Sequence, residues 1–305
     1  MTLPGGRGSR AWCLVRTGVE VVRDIREVSD EEYWAELRSR WGALLSYRYI
    51  GRQFSSMNNV ADATVRLRHD MRNAAGGIMA APLAISCPGG GSSDLEAVPN
   101  PVVHSLQILD DARDVERVEI IGEEALKLGR TMGFSRARIV DASDHSRVIA
   151  LVEAQAVSIG DVPEGLVKFD DDPIMHIEDS TELPPLWRVF GCERRDDGHW
   201  IIPELSIELA SPDAALHLGP QEILLETAAV ELASAAAGTD LLQAESSHVM
   251  FLARGKVGPF RVDGSAFPAT DGSGRVGAQL TMHDEGNADR AVSAASMVFR
   301  PVEAS

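Results

Sequence analysis

Hydrophobic and polar positions change their period several times along this chain, and each change predicts an element. Ser29-Asp30-Glu31-Glu32 leads into Tyr33, Trp34, Leu37, Trp41 and Leu44, which gives an N-cap, acidic residues in the first turn and apolar residues at helical spacing. An amphipathic helix is expected there. Ala63, Val65 and Leu67 then alternate with polar neighbours, and the stretch from Asn73 through Gly76-Gly77 to Cys87 is small and apolar on every side, as a buried helix is. Pro88-Gly89-Gly90-Gly91-Ser92-Ser93 ends it. Beyond Pro101 the period becomes two: Val103, Ser105 and Gln107 alternate with His104, Leu106 and Ile108, and further runs follow at 118–124, 134–141 and 148–159. One buried helix followed by an antiparallel meander of about four strands is the expectation.

The same order returns after residues 161–185, where Asp161, Asp170-Asp171-Asp172, Glu178, Asp179 and Pro184-Pro185 read as an acidic linker. A strand pattern at 200–209 precedes a helix that opens at Pro220, carries Ile223, Leu224, Leu225, Ala228, Val230 and Leu232, and stops at Gly238. Alternating runs at 247–252, 260–267, 276–283 and 291–300 follow. One ungapped shift of 143 residues lays Gly76 on Gly219, Gly129 on Gly272, Asp141 on Asp284 and Arg147 on Arg290. It also superposes the apolar phase, Leu106 on Val249 and Ile108 on Phe251. The chain therefore reads as a duplication: an extension with the amphipathic helix at 1–55, a first repeat at 56–160, the linker at 161–197 and a second repeat at 198–305.

Composition narrows the partners. The 305 residues exceed one ordinary domain, and 44% hydrophobic content is enough to build real cores. Acidic residues outnumber basic ones 46 to 29, and a net charge of −17 argues against nucleic acid or anionic lipid as the main partner. Cys13, Cys87 and Cys192 form no CxxC or Cys/His grouping, so neither a disulfide framework nor a structural zinc site is expected. The apolar run Ala11 to Val15 is too short for a signal peptide, and no stretch approaches the ~18 residues of a membrane span. A cytoplasmic protein that does not enter the membrane is expected. Asp170-Asp171-Asp172 lacks calcium-loop spacing and the histidines lack ligand spacing, so no metal and no cofactor are expected.

A buried helix followed by a meander that can wrap it resembles the hotdog fold, and its repetition resembles an α+β double hotdog, each repeat a long buried helix wrapped by an antiparallel β-sheet. The closest detail is His217-Leu218-Gly219-Pro220 with Glu226 nine residues after the histidine. This resembles the PaaI-like acyl-CoA thioesterases, whose helix begins with a His-Gly-Gly-type turn and carries a catalytic Asp or Glu at that spacing. Phe251-Leu252-Ala253-Arg254-Gly255-Lys256 resembles the strand end that meets the CoA phosphates in that family, and Gly129-Arg130-Thr131-Met132-Gly133-Phe134 resembles its hairpin. The resemblance covers about residues 60–160 and 198–302. It implies a hydrolase of acyl-CoA or related pantetheine thioesters, with Glu226 as base or nucleophile and Arg254 and Lys256 as CoA contacts. The fused pair would work as a monomer or as a homodimer.

Departures from the family pattern shape the expectation. The second half has Leu218 and Pro220 around its glycine, and proline offers no N–H to an oxyanion. The first half keeps Gly76-Gly77 but has Ala74 or Ala75 at the histidine position and Leu83 or Ala84 at the acid position. In the family's dimers the carboxylate comes from one protomer and the oxyanion N–H from the facing helix start. Carried over, this sets Glu226 against Gly76-Gly77 and leaves the mirror site without an acid: one composite site per chain.

Each feature also has an ordinary reading. Glu226 shares its helix face with Ala229, Val230, Ala233 and Ala237, with Glu222 one turn earlier, and is either a solvated residue or a desolvated, strengthened base. His217 is a general base or a turn residue, and Asn73 orients the attacking water or caps a helix. His69 and Asp70 lie just before that turn. Arg254 and Lys256, opposite Asp111 and Arg113 in the shifted register, are a phosphate contact or ordinary loop cations. Two other functions stand beside hydrolysis. One is non-catalytic binding of an acyl or CoA ligand, both sites having decayed. The other is hydration or dehydration of an acyl-CoA, against which the chain lacks the Asp and following His of that hotdog branch.

Overall fold

The computed structural model describes residues 22–24, 27–29, 32, 43–51, 64–87, 97–129, 131–161 and 175–303. Most of the helix expected at 29–44, Arg130 and the Asp170-Asp171-Asp172 run lie outside them. In chain order the elements are α1 (Leu45–Arg48), β1 (Thr64–Arg66), a 3-10 turn (His69–Met71), α2 (Ala80–Ser86), β2 (Ala97–Ile108), β3 (Arg117–Leu128), β4 (Met132–Asp141) and β5 (Asp144–Asp161). The second half supplies α3 (Leu186–Val189), β6 (Glu193–Arg194), β7 (Trp200–Ile202), β8 (Ala210–Ser211), β9 (Ala215–Leu216), α4 (Leu218–Ala237), β10 (Leu242–Phe251), β11 (Phe260–Pro268), β12 (Val276–Asp284) and β13 (Arg290–Pro301).

Among the described residues, eleven strands form one sheet in the order β1-β3-β4-β5-β2-β10-β13-β12-β11-β7-β6. Every neighbouring pair is antiparallel. The halves join edge to edge where Gln107 to Val103 of β2 pair with Ser246 to Met250 of β10. Period-two alternation turns Leu106, Ile139, Val152, Val249, Leu280, Ala295 and Met297 inward, and all are buried. α4 lies against that inner face, packed on β11, β12 and β13 and on α2. Its Ile223, Leu224 and Leu225 are fully buried, as expected of a helix apolar on all sides. No described helix is long and apolar enough to cross a membrane.

Strand register repeats at the shift read from the sequence. Leu106 pairs with Val152 and Val249 with Ala295; Ala137 pairs with Val152 and Leu280 with Ala295, each second pair lying 143 residues beyond the first. The helices do not obey that shift. A short β8–β9 pairing precedes α4, and an Arg72–Ile78 bridge precedes α2. Pro82 and Pro220 each stand third in their helix, only 138 residues apart. The expected long helix in the first half is also absent: α2 has 7 residues against 20 in α4. Residues 73–77 are diverted into a tight turn, with Gly76 in the left-handed region at φ 82°. Asn73 Oδ1 accepts the N–H groups of Ala75 and Gly77 there, which competes with helix formation.

Two further expectations change in the same region of sequence. The run at 200–209 is a strand only over Trp200–Ile202, because Pro203 has no N–H for the ladder. Within the span read as linker, α3 forms and both Leu186 and Phe190 are buried. Tyr47-Arg48-Tyr49-Ile50-Gly51 and Trp187-Arg188-Val189-Phe190-Gly191 follow one pattern, and Gly51 and Gly191 both take positive φ, 87° and 68°.

Candidate active site

Glu226 lies in the third turn of α4 and is 1% exposed. Its carboxylate reaches across to the other half: Oε1 accepts the N–H of Ala80 at 2.8 Å and Oε2 that of Ala81 at 2.6 Å. These are first-turn donors of α2, which no intrahelical carbonyl can satisfy, and the N-cap residue Met79 has no side-chain acceptor to offer. Glu226 therefore caps a helix belonging to the opposite half. Burial pushes its carboxyl up to about 7; the two amide hydrogen bonds pull the other way, and Glu222 adds to the rise. A group titrating there is well matched to accepting a proton near neutral pH.

The donors facing Glu226 are not those of Gly76 and Gly77, as the sequence suggested. Both glycine N–H groups are consumed inside their own turn, Gly76 on the Asn73 carbonyl at 2.9 Å and Gly77 on Asn73 Oδ1 at 3.1 Å. Asn73 is likewise committed, since its Nδ2 donates to Gln243 Oε1 at 2.8 Å, so it builds the turn rather than holding a free water. Gln243, from β10, also donates to the Ile78 carbonyl at 3.0 Å and lies against Gly77 so closely that a Cβ there would collide with it. Sequence reading missed Gln243; nothing in its own strand pattern marks it, because the partner turn is 170 residues away.

His217 is the N-cap of α4. Its Nδ1 accepts the Gly219 N–H at 3.3 Å and lies 2.9 Å from Ser46 Oγ, while Nε2 lies 3.3 Å from the Tyr47 hydroxyl. A backbone N–H only donates, so Nδ1 is an acceptor and the ring proton sits on Nε2. Burial, and then the Arg254 charge, push the imidazole down to about 3, against a smaller pull from Asp213. The ring, neutral and enclosed, caps α4. Arg254 and Lys256 support the same end of the helix and do not form an unpaired cationic strand end. Arg254 bonds Asp213, Ser211 and Asn100, and Lys256 bonds the Asp213 carbonyl and sits 3.3 Å from Asp24. In the first half Arg113 pairs with Asp111 at 3.0 Å.

His69 and Asp70 do not join this site: Asp70 is held by Arg68, and the His69 N–H by Asp179. Glu222 and His104 do adjoin it, and neither carries a role in the sequence pattern. Glu222 is one helical turn before Glu226, 1% exposed, and neither oxygen has a hydrogen-bond partner. His104 of β2, 3% exposed, places Nδ1 at 3.4 Å from Glu222 Oε1 and Nε2 at 2.8 Å from the Cys87 carbonyl. Among the described residues no group of three or more His, Cys, Asp or Glu could hold a metal ion.

No protein-family model matches the sequence, and no curated protein sequence does. Solved structures are similar over most of the chain. A tesB protein from Mycobacterium avium subs paratuberculosis has 14% identity and a TM-score of 0.54, covering 88% of this chain and all of its own. A conserved protein of unknown function with hot dog fold from Alicyclobacillus acidocaldarius has 11% identity and a TM-score of 0.53, covering 83% and 96%. The acyl-CoA thioesterase II TesB2 from Mycobacterium marinum has 15% identity and a TM-score of 0.52, covering 82% and 95%. At such identities the likeness is one of fold: most of this chain has the hotdog architecture also found in TesB-type proteins.

Proposed function

We propose that this chain is a hotdog thioester hydrolase acting on acyl-CoA or a related pantetheine thioester, through one composite site in a fused pair of hotdogs. The observation that carries the reading is the buried Glu226 carboxylate, presented by one half to two backbone N–H groups of the other. A similar structure named as an acyl-CoA thioesterase II supports it, and within the hotdog thioesterases the spacing of Glu226 from His217 keeps the resemblance to the PaaI-like branch. Glu226 takes a proton from water as the water oxygen bonds to the thioester carbon. The N–H groups of Ala80 and Ala81, released in part by the carboxylate, hold the carbonyl oxygen as it becomes negative. Collapse breaks the C–S bond, and the proton on Glu226 passes to the thiolate.

The helix-to-helix spacing of 138 sets Pro88, not Leu83 or Ala84, at the position mirroring Glu226, so the second site has no acid. We place the start of each half at α1 and α3, earlier than residues 56 and 198, because those helices repeat one pattern. Arg254 and Lys256 enter only as a secondary phosphate contact, since each already has an acidic neighbour. A second reading, non-catalytic ligand binding, is favoured by one observation: both Glu226 oxygens are occupied, which also ties the halves together. Thiol release from short, aromatic and long acyl-CoAs, wild type against Glu226→Gln, decides between them. Turnover that falls in the variant supports hydrolysis; no release from any substrate, or equal rates, removes the catalytic assignment.

A further inference from the structure

Glu222 presents a physical problem that the reaction scheme leaves open. A buried carboxylate with neither oxygen hydrogen-bonded is costly, by several kcal/mol if it is also charged and alone. Its neighbour is His104, contributed by the other half of the sheet. His104 Nε2 lies 2.8 Å from the Cys87 carbonyl, just past α2. A carbonyl can only accept, so Nε2 carries hydrogen. Nδ1 and Glu222 Oε1 then face each other at 3.4 Å, and if both were bare two lone pairs would oppose one another inside the protein. A proton on either atom removes the conflict, and in either case the pair carries no net charge.

We infer that Glu222 and His104 hold one proton between them and so keep a second net negative charge away from Glu226, one helical turn distant. They are positioning residues: they act through the carboxylate and not on the substrate. The structural half of the inference rests on geometry; the functional half rests on the hydrolase reading.

The other buried charged or histidine side chains among the described residues are committed elsewhere. Arg68 pairs with Asp70, Asp213 with Arg254, and His217 with Ser46 and Tyr47. Asp141 accepts from Ser143 and lies near Arg147, and Asp284 accepts the amides of Lys256, Val257 and Gly258. α2 contains no acidic or basic side chain, and β10 to β13 line α4 with Val249, Phe260, Val262, Leu280, Ala295 and Met297. Glu222 is the acidic side chain one helical turn from Glu226, and a negative charge left on it would raise Glu226.

Nitrogen-15 NMR of histidine-labelled, ligand-free protein tests the pair without any enzymatic assay. His104 should show a protonated Nε2 and a hydrogen-bonded Nδ1, and Glu222→Leu should move Nδ1 to the shift of a free acceptor. A bare Nε2, or an Nδ1 resonance indifferent to Glu222→Leu, overturns the inference. The functional half is read from kcat/KM against pH. His104→Phe leaves Glu222 without its partner, so that ionisation of either neighbouring carboxyl opposes ionisation of the other, and the midpoint of the acid limb should rise by about one unit, a tenfold loss on the acid side. Adding Glu222→Gln to that variant should bring the rate back to within about twofold of the Glu222→Gln protein. An unmoved midpoint in His104→Phe, or no rescue in the double variant, overturns it. If His104→Phe fails to fold, His104→Gln keeps a donor for the Cys87 carbonyl and reads the same shift. Wild-type protein that hydrolyses no thioester removes the hydrolase reading and the functional half with it, while the NMR result still decides the pair.

Discussion

Glu226→Gln keeps the side chain's length and removes its charge, so it separates what ionisation costs the fold from what it contributes to reaction. Burial moves the carboxyl from an ordinary 4.5 to about 7. Because the folded-state value is the higher one, the folded chain binds the proton more tightly than the unfolded chain. Stability from this group is complete below about 4.5 and is lost as pH rises through about 7. The displacement corresponds to about 3 kcal/mol. Glutamine carries no such penalty. It does lose one of the two amide bonds, since its NH2 must oppose either Ala80 or Ala81, at a pH-independent cost of about 1 kcal/mol. Denaturant titration of both proteins at pH 4, 5, 6, 7 and 8 should show the wild type the more stable at pH 4. By pH 8 the comparison should have moved in favour of the variant by about 3 kcal/mol. In the same buffers, wild-type kcat/KM should fall tenfold per unit below a midpoint near 7, and the variant should lose at least about 100-fold at pH 8. A stability difference constant within about 0.5 kcal/mol, or a rate midpoint near 4.5, would refute the desolvated-base argument.

Three other changes probe the surroundings. Gly77→Ala drives a Cβ into the Gln243 side chain and should cost about 1–3 kcal/mol, most of it recovered in Gly77→Ala with Gln243→Ala; equal instability of both denies the contact. His217→Ala should lower stability by about 1 kcal/mol through the lost cap and leave kcat within about threefold, whereas a loss of 100-fold would make the ring a base after all. Arg254→Gln leaves Asp213 without its main partner and should lower the denaturation midpoint at pH 7. A KM that rises for acyl-CoA but not for the phosphate-free pantetheine thioester assigns Arg254 a phosphate contact as well, and equal effects on both limit it to bracing.

The strands were readable because their information is local and in phase. Leu106, Val152, Val249 and Ala295 keep the same alternation in both halves, and their pairing repeats the shift found by comparing residues. The helix starts were not readable from that shift, because the five-residue difference between the halves falls between helix and strand. Gly76-Gly77 stood out as a motif, yet its N–H groups go to Asn73, a consequence of the Asx turn that the motif does not display. Glu226 was legible from its spacing, while its partners Ala80 and Ala81 carry no distinguishing side chain: the chemistry there belongs to the backbone. Gln243, Glu222 and His104 become meaningful only when the halves close. The pattern shared by Tyr47 to Gly51 and Trp187 to Gly191 was present in the sequence all along, and its last glycine takes positive φ in both places.

The asymmetry between the halves is at bottom one of helix length. An acid nine positions beyond the N-cap, as Glu226 is from His217, lies in the third turn and needs a helix at least that long to aim it across the interface. α4 extends well past this point, whereas α2 ends at Ser86, seven residues after Met79. The position nine residues past Met79 is Pro88, whereas α2 has 7 residues against 20 in α4. What the short helix keeps is its first turn, with two donors that its own N-cap leaves unsatisfied. One half thus supplies the donors and the other the reach, and the contact between Glu226 and α2 joins two helices of unlike length.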